Sequence, residues 1–277
     1  MFDTLIEAQE LRAKCADTDC VIVDCRYDLA DPGAGYRAYL EGHIPGAIYA
    51  HLHDDLSGPP LTDHGRHPMP SPARLRELFS SFGIRAGVQV VAYDDSSGAI
   101  AARLWWMLRY MGHSDAAVLN GGWSAWVGAG YESEQRDNRN APRPFQGEPR
   151  KDWLVTLEQV RSVPLLLDAR EPARYRGEHE PIDPAAGHIP GARNYFWREN
   201  IDARGAFRPR AEIRRQLESV LGGCAAGDVV CYCGSGVTAC VNVLAAVHAG
   251  LPFPRLYAGS WSEWCADPAR PVATGGG

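Results

Sequence analysis

The stretch Val229-Val230-Cys231-Tyr232-Cys233-Gly234-Ser235-Gly236-Val237-Thr238-Ala239-Cys240 joins three local patterns that bear on the whole chain. An apolar β-type run ends at Cys233, a short loop with two glycines follows, and an apolar helix-like run continues to Gly250. This order predicts a buried strand, a tight loop and the N-terminus of a helix. Backbone N–H groups of such a loop, together with the positive end of the helix, form an anion-binding site. We therefore expect an α/β fold with a site at the carboxyl end of this strand.

Cys233 is the candidate nucleophile of that site. A thiol beside an anion-binding loop ionises readily, and the thiolate is the reactive form of cysteine. Most single cysteines that follow a buried strand act only as small apolar side chains. Here the two neighbouring glycines favour a chemical role, because they add no side-chain bulk over the loop N–H groups.

An internal repeat organises the rest of the chain. Four blocks recur in the same order about 140 residues apart, which indicates duplication of a whole domain. The blocks at residues 20–26, 42–47, 90–94 and 121–126 match those at residues 165–170, 187–192, 229–233 and 259–264. We predict an N-terminal domain over residues 1–130, a linker over 131–150 and a C-terminal domain over 151–277. Asp94, or Asp95 if the loop is shifted, stands where the second half has Cys233, so only the C-terminal domain is predicted to be catalytic.

The pattern of each half is typical of an α/β domain, with a mostly parallel sheet and helices on both faces. Apolar, β-branched runs predict strands at residues 20–24, 88–93, 116–119, 165–168, 228–232 and 255–257. Helical patterns predict helices at residues 71–82, 99–111, 211–221 and 237–248. Residues 131–150 are polar and contain prolines, so we expect an ordered linker that crosses a domain surface.

Composition narrows the possible functions. The chain has 277 residues, of which 45% are apolar and 22% charged, and it is long enough for two domains with separate cores. A net charge of −6 provides no basic field, so we predict no binding to nucleic acid or membranes. The N-terminus has no export signal, and the eight cysteines show neither a disulfide framework nor zinc-type spacing. We expect a cytoplasmic protein with no metal site.

Several of these blocks carry a family resemblance. The Gly-His-Ile-Pro-Gly-Ala blocks at residues 42–47 and 187–192, the loop at 233–238 and the block at 259–264 resemble the two-domain rhodanese sulfurtransferases. The resemblance extends over nearly the whole chain, and the loop is most similar to that of the mercaptopyruvate branch. It implies two tandem rhodanese-like domains.

The resemblance also implies a reaction. The thiolate of Cys233 attacks the outer sulfur of 3-mercaptopyruvate and becomes a persulfide, which then passes its sulfur to cyanide, a thiol or thioredoxin. No metal or organic cofactor is expected, because the cysteine itself carries the sulfur. Two alternatives stay open at this point: thiosulfate as the donor, and a persulfide carrier that does not turn over.

Two other cysteine chemistries fit the loop less well. A cysteine phosphatase needs an arginine six residues after its nucleophile, and this chain has Ala239 there. A dithiol redox protein needs a resolving cysteine. Cys231 lies on the predicted strand and Cys240 on the predicted helix, so redox cycling is a minor alternative.

The resemblance assigns the remaining site residues. Gly234, Gly236, Val237 and Thr238 would surround the donor with backbone N–H groups, although for Thr238 a structural role at the helix start is favoured. Ser235 Oγ would bond the donor sulfur or the departing enolate. Arg174 would bind the donor anion, because the planar guanidinium matches a carboxylate through two hydrogen bonds.

Other expectations concern groups far from the loop in sequence. In the mercaptopyruvate branch a Ser-His-Asp arrangement assists the reaction, and here it would join Ser235 to His43 and Asp31. The branch usually has a second arginine before the second Gly-His-Ile-Pro block, but residues 180–183 read Glu-Pro-Ile-Asp and offer no cation. The loop at residues 65–68, Gly-Arg-His-Pro, is expected to lie close to the domain interface, but no functional role is predicted for it because a charged loop is usually just solvated.

Overall fold

A computed structural model describes residues 1–59 and 65–276, which form two compact domains. The first domain comprises Met1–Ser57, Pro70–Arg150 and Ala203–Phe207. The second comprises Gly58–Met69, Lys151–Asp202 and Arg208–Gly277, in each case as far as the chain is described. Two segments therefore depart from a simple division into halves. The predicted linker packs with the first domain, and the segment around Arg66 packs with the second.

The first domain contains a five-stranded parallel sheet with the strand order β1-β5-β4-β2-β3. The strands are β1 Leu5–Ile6, β2 Cys20–Asp24, β3 Ile48–Tyr49, β4 Gln89–Tyr93 and β5 Ala116–Leu119. The helices around this sheet are α1 Ala8–Arg12, α2 Ala34–Glu41, α3 Pro72–Ser81, α4 Ala101–Tyr110 and α5 Gly122–Gly128.

The second domain contains a four-stranded parallel sheet with the order β7-β6-β8-β9. The strands are β6 Leu165–Asp168, β7 Arg193–Asn194, β8 Val229–Tyr232 and β9 Arg255–Leu256. The helices are α6 Pro172–Tyr175, α7 Arg210–Leu221, α8 Ala239–His248 and α9 Ser260–Trp264. Short 3₁₀ segments lie at Lys151–Trp153, Val160–Ser162, Trp197–Asn200 and Ala226–Asp228. The predicted α/β class with mostly parallel sheets is confirmed, and the predicted helices and strands agree with these bounds to within two residues.

Hydrophobic patterning explains the elements that position the site. All four residues of β8 are buried, as expected for a central parallel strand with both faces covered. The buried residues of α7, Ile213, Leu217 and Leu221, recur every four positions and give this helix one apolar face. α8 is buried almost throughout, so its buried polar residue, Asn242, needs internal partners. Asn242 accepts a hydrogen bond from Asn200 and donates one to the carbonyl of Tyr195.

A buried ion pair follows the first long strand of each domain. Arg26 binds Asp24 and Arg170 binds Asp168, both with an N–O distance of 2.6 Å. Each guanidinium also donates to the carbonyl of the glycine that opens the Gly-His-Ile-Pro block, at 2.6 Å in both domains. The duplicated sequence blocks thus produce the same buried polar contacts twice.

Within the described ranges, no helix is long and apolar enough to cross a membrane. The cytoplasmic location stays a prediction. The same part of the chain contains no cluster of three or more histidine, cysteine or acidic side chains arranged to hold a metal ion.

Candidate active site

Cys233 lies at the carboxyl end of β8 and is 2% exposed. Its backbone N–H donates to Ser260 Oγ at 3.1 Å, and its carbonyl accepts from the N–H of Trp261 at 3.0 Å. The next carbonyl, that of Gly234, accepts from the N–H of Ser262 at 2.9 Å. The start of α9 therefore holds the loop by three hydrogen bonds, which fixes the position of the thiol.

Gly236 forms the base of a cradle around the sulfur. Its N–H donates to Cys233 Sγ at 3.1 Å. Its φ of +75° lies in the left-handed region, and a Cβ there would be 2.2 Å from the carbonyl oxygen of Ala258. Only glycine fits this close approach. The requirement for glycine and the N–H donated to sulfur are therefore two consequences of one backbone conformation.

Two guanidinium groups border the loop at Gly234. A Cβ on Gly234 would lie 3.0 Å from Arg66 Nη2 and 3.7 Å from Arg174 Nη1. The missing side chain thus leaves room for two cations one residue away from Cys233. The second cation, Arg66, comes from the segment that the sequence pattern assigned to solvent, and this interpretation is wrong. Arg66 is held there in part by its backbone N–H, which donates to Ser262 Oγ at 3.1 Å.

Both arginines belong to a continuous series of ion pairs, which we call the ion-pair chain. Its members alternate in charge in the order Asp168, Arg170, Glu180, Arg174, Asp183, Arg66. Arg174 binds Glu180 at 2.6 Å and Asp183 at 3.2 Å, and Arg66 also forms an ion pair with Asp183. Glu180 and Asp183 lie in the segment where the related sequences usually have a second arginine. In this chain they are the ion-pair partners of the two arginines at the loop.

The two carboxylates of the ion-pair chain differ in their electrostatics. Burial acts to raise the pKa of Glu180, but hydrogen bonds from Arg174 and from backbone N–H groups outweigh it and leave that pKa lowered. Burial raises the pKa of Asp183, although Arg66 and Arg174 oppose the rise. Asp183 is thus the carboxylate whose charged form is disfavoured by its surroundings, whereas that of Glu180 is favoured.

Ser235 is paired with a histidine. Its Oγ lies 2.7 Å from His67 Nδ1, and both residues are buried. The serine hydroxyl donates when the ring proton is on Nε2 and accepts when Nδ1 carries it. The proton shared by the pair can therefore belong to Ser235 Oγ or to His67 Nδ1.

The contact with His67 adds a second histidine to the one that we predicted for Ser235, and participation of His43 in the reaction stays a prediction. His43 is fully buried in the first domain, where its Nδ1 bonds the carbonyl of Tyr39 at 2.7 Å and its Nε2 lies 3.1 Å from Asn138 Nδ2. Both ring nitrogens thus have structural partners. Asp31 is exposed in the same domain and forms an ion pair with Arg37, so a role for Asp31 in the reaction stays a prediction.

The other loop residues have mainly structural contacts. The carbonyl of Val237 accepts from the N–H of Cys240, and the side chain of Val237 is buried. Thr238 occupies the N-cap position of α8, but its side chain makes no capping hydrogen bond, which corrects the capping role. Cys231 is buried in β8, and burial followed by the neighbouring Cys233 raises its pKa to about 12. Such a thiol is a poor partner for redox cycling.

Sequence reasoning missed Arg66, His67 and the pairing role of Asp183. Arg66 and His67 precede Cys233 by more than 160 residues, and their short polar loop has no helical or strand periodicity. The available signal was local: an arginine and a histidine lie together between Gly65, which can adopt a positive φ, and Pro68, whose φ is fixed.

Comparison with known proteins is consistent with this geometry. The family model described as "Rhodanese-like domain" matches residues 7–129 and 151–267. The chain is 47% identical over 278 residues to a probable 3-mercaptopyruvate sulfurtransferase of Pseudomonas aeruginosa, with 98% of each chain covered. It is 40% identical to the putative thiosulfate sulfurtransferase SseB of Mycobacterium tuberculosis, covering 98% of this chain and 97% of that one. The solved 3-mercaptopyruvate sulfurtransferase from Leishmania major superposes with a TM-score of 0.83 at 34% identity, covering 95% of this chain and 74% of the other.

Proposed function

The chain belongs to the rhodanese-like family of sulfurtransferases, and from that premise we propose that it transfers sulfur from 3-mercaptopyruvate to a thiophilic acceptor through a persulfide on Cys233. The observation that carries the proposal is the position of the thiol. Cys233 Sγ accepts a backbone N–H at the end of a central strand, and two guanidinium groups lie at the next residue. This arrangement suits a thiolate nucleophile and an anionic sulfur donor.

The first half-reaction forms the persulfide. The Cys233 thiolate attacks the sulfur of mercaptopyruvate, a new S–S bond forms, and the donor's C–S bond breaks. The electron pair of that bond stays on carbon as the enolate of pyruvate, which takes up one proton. The N–H of Gly236 remains within reach of the sulfur and stabilises its negative charge throughout.

Donor recognition falls to Arg174 and Arg66. A guanidinium binds a carboxylate through two parallel hydrogen bonds, and both groups face the space over Gly234. Arg176, by contrast, pairs with Glu178 at the surface and takes no part. The second arginine expected from the family is therefore supplied by a different segment.

Ser235 and His67 would manage the proton of the first half-reaction. The enolate of pyruvate needs a proton, and a serine hydroxyl backed by imidazole can deliver one. The 2.7 Å contact between Ser235 Oγ and His67 Nδ1 supports this role. Sulfite, which leaves when thiosulfate is the donor, needs no such proton, so the pair favours mercaptopyruvate over thiosulfate.

The second half-reaction regenerates the thiolate. An acceptor nucleophile such as cyanide, a small thiol or thioredoxin attacks the outer sulfur of the persulfide, and the S–S bond breaks toward Cys233. With cyanide the product is thiocyanate. The loop supports this step because Gly234 and Gly236 add no side chains that would hinder the approach of an acceptor.

Thiosulfate is the second candidate donor. Two guanidinium groups at one residue suit a dianion, and a relative 40% identical to this chain is named as a putative thiosulfate sulfurtransferase. The two donors differ in charge and in the need for a proton. Their relative turnover therefore reports which feature of the site dominates.

The test is kcat/KM for both donors under identical conditions, with cyanide as acceptor. We expect mercaptopyruvate to be preferred at least about tenfold, equivalent to about 1.4 kcal/mol. Cys233→Ser should abolish turnover, whereas Cys224→Ser, which changes a partly exposed thiol of the same domain, should leave it unchanged. A preference for thiosulfate would favour the second candidate. A persulfide on Cys233 that no acceptor discharges would instead indicate a carrier.

A further inference from the structure

The ion-pair chain balances the charge of the anion-binding groups. It contains the three guanidinium groups of Arg170, Arg174 and Arg66 and the three carboxylates of Asp168, Glu180 and Asp183. Each arginine has at least one carboxylate partner within the chain. The cations next to Gly234 are therefore compensated within their own domain.

The carboxylates are more deeply buried than the cations they compensate. The side chains of Glu180 and Asp183 are each 3% exposed, whereas those of Arg174 and Arg66 are 15% and 33% exposed. The guanidinium groups, not the carboxylates, are the atoms nearest to a side chain at Gly234. An anion at the loop would thus contact the arginines directly and feel the carboxylates from behind them. In this partly desolvated setting the carboxylate charges are poorly screened.

We propose that Asp183 and Glu180 determine the charge selectivity of the donor site, holding its field near neutral so that a monoanionic donor is accepted and a dianionic one gains no advantage. The inference rests on the proposed function in one respect, that the donor anion lies against Arg66 and Arg174. Both carboxylates are specificity-determining residues. They act through the arginines, without contacting the donor.

The expected size follows from the number of charges. Removing one carboxylate charge adds one net positive charge to the site. If the affinity for a monoanion then rises by a given factor, the affinity for a dianion rises by the square of that factor. For a partly exposed site we take the factor as about three for a monoanion, and so about ten for a dianion. The selectivity between the two should shift about threefold toward the dianion.

The experiment measures anion binding without sulfur transfer. The probes are pyruvate, a monoanion, and sulfate, a dianion. Their dissociation constants are obtained from protection of Cys233 against iodoacetamide, followed by mass spectrometry of the intact full chain. The variants Asp183→Asn and Glu180→Gln each remove one charge from the ion-pair chain. Asp183→Glu keeps the charge, and Glu178→Gln removes a carboxylate that pairs with Arg176 at the surface.

We expect the ratio of pyruvate to sulfate dissociation constants to rise about threefold in Asp183→Asn and in Glu180→Gln. It should keep its wild-type value in Asp183→Glu and Glu178→Gln. If only one charge-removing variant folds, as judged by circular dichroism, that variant decides. An unchanged ratio would overturn the proposal, including the case in which both anions weaken equally, because equal weakening indicates a merely structural role.

Failure of the proposed function would be visible separately. Wild-type protein that forms no persulfide with mercaptopyruvate or thiosulfate would refute sulfur transfer from either donor. The binding ratio would still report the charge selectivity of the loop. The two conclusions therefore stand or fall on different measurements.

Discussion

The loops that follow β4 and β8 occupy equivalent places in the two domains, but their backbone N–H groups donate to different side chains. In the first domain the fully buried Asp94 places its own carboxylate in the cradle. It accepts four backbone hydrogen bonds of 2.8 to 2.9 Å, from the N–H groups of Ser96, Gly98, Ile100 and Ala101. In the second domain Cys233 Sγ accepts the N–H of Gly236. The first loop binds an internal carboxylate, whereas the second loop is the one proposed to bind a substrate anion.

The surrounding frame is the same in both domains. Each buried arginine packs over a tryptophan, with 4.7 Å from Arg26 to the ring centroid of Trp123 and the same distance from Arg170 to Trp261. The residue at the end of the central strand, Tyr93 in the first domain, donates to the carboxylate of that domain's ion pair. Because the frames agree, the predicted lack of chemistry in the first domain would need a change in the loop alone. A carboxylate in the cradle is enough to exclude an external anion.

The largest expected effect comes from adding a methyl group to Gly236, and the same change at Gly98 is its control. Gly236→Ala would place a Cβ 2.2 Å from the carbonyl of Ala258, in addition to the cost of a positive φ. We expect a loss of about 3–5 kcal/mol in the free energy of unfolding and at least about a hundredfold loss of turnover. Gly98→Ala is the matched control, since its φ is +85° but its nearest contacts are 3.5 Å or more. It should cost about 1–2 kcal/mol and leave turnover intact.

Urea unfolding and steady-state turnover measure both variants. Equal destabilisation by the two substitutions would contradict the comparison, because it would mean that the approach of Ala258 adds nothing to the ordinary cost of a left-handed alanine.

The next effect tests the internal anion. Asp94→Asn would turn an acceptor-only group into one whose NH₂ faces backbone N–H donors. We expect a loss of about 2–4 kcal/mol in the stability of the first domain, from lost charge-assisted hydrogen bonds and unsatisfied buried donors. Asp95→Asn, at the exposed neighbour, should change stability by less than about 0.5 kcal/mol. Domain-resolved hydrogen exchange would locate the loss, and a loss spread equally over both domains would argue against a local role of Asp94.

Much of the fold and part of the candidate site are predictable from the sequence. The repeated blocks predict the two parallel sheets, because buried strands and amphipathic helices each have a short-range period. Cys233 and Gly236 are predictable too, since strand, loop and helix follow one another directly. The substitution of Asp94 for the cysteine is visible in the repeat itself.

What the sequence does not reveal are contacts made across long separations. The pairing of His67 with Ser235 spans 168 residues, and that of Arg66 with Asp183 spans 117. Neither has a local pattern, because a loop that crosses between packed elements is fixed by tertiary contacts alone. The motif around His43, by contrast, is clear in the sequence, and in the structure it forms a turn buried against Tyr39.

A smaller effect separates the two donors. Ser235→Ala removes the hydroxyl that bonds His67, so protonation of the pyruvate enolate should slow. We expect kcat/KM for mercaptopyruvate to fall about 10²-fold, and that for thiosulfate to change by less than about threefold. Thiosulfate is the internal control, because its leaving group takes no proton. Equal losses with both donors would assign Ser235 to the structure of the loop.

The smallest expected effect concerns pH and the ion-pair chain. Asp183 faces Arg66, Arg174, Arg170 and Glu180, and the net effect of burial and these charges is a raised pKa. Cys265 also faces Asp183, but burial raises the pKa of that thiol to about 11, so it stays neutral in this range. Because its pKa is raised, Asp183 takes up a proton at a higher pH than an unperturbed aspartate would. Protonation of Asp183 leaves the donor site with a net positive charge, as Asp183→Asn would.

The ratio of kcat/KM for thiosulfate to that for mercaptopyruvate should therefore rise as the pH falls below about 7 and Asp183 takes up a proton, by up to about threefold. Below that pH the thiol of mercaptopyruvate stays protonated and thiosulfate stays a dianion, so neither donor changes its charge. Asp183→Asn should show a ratio that is already raised and does not change with pH. A wild-type ratio that is equally flat would mean that Asp183 keeps its charge over the whole range. A slope that persists in Asp183→Asn would assign the titration to another group.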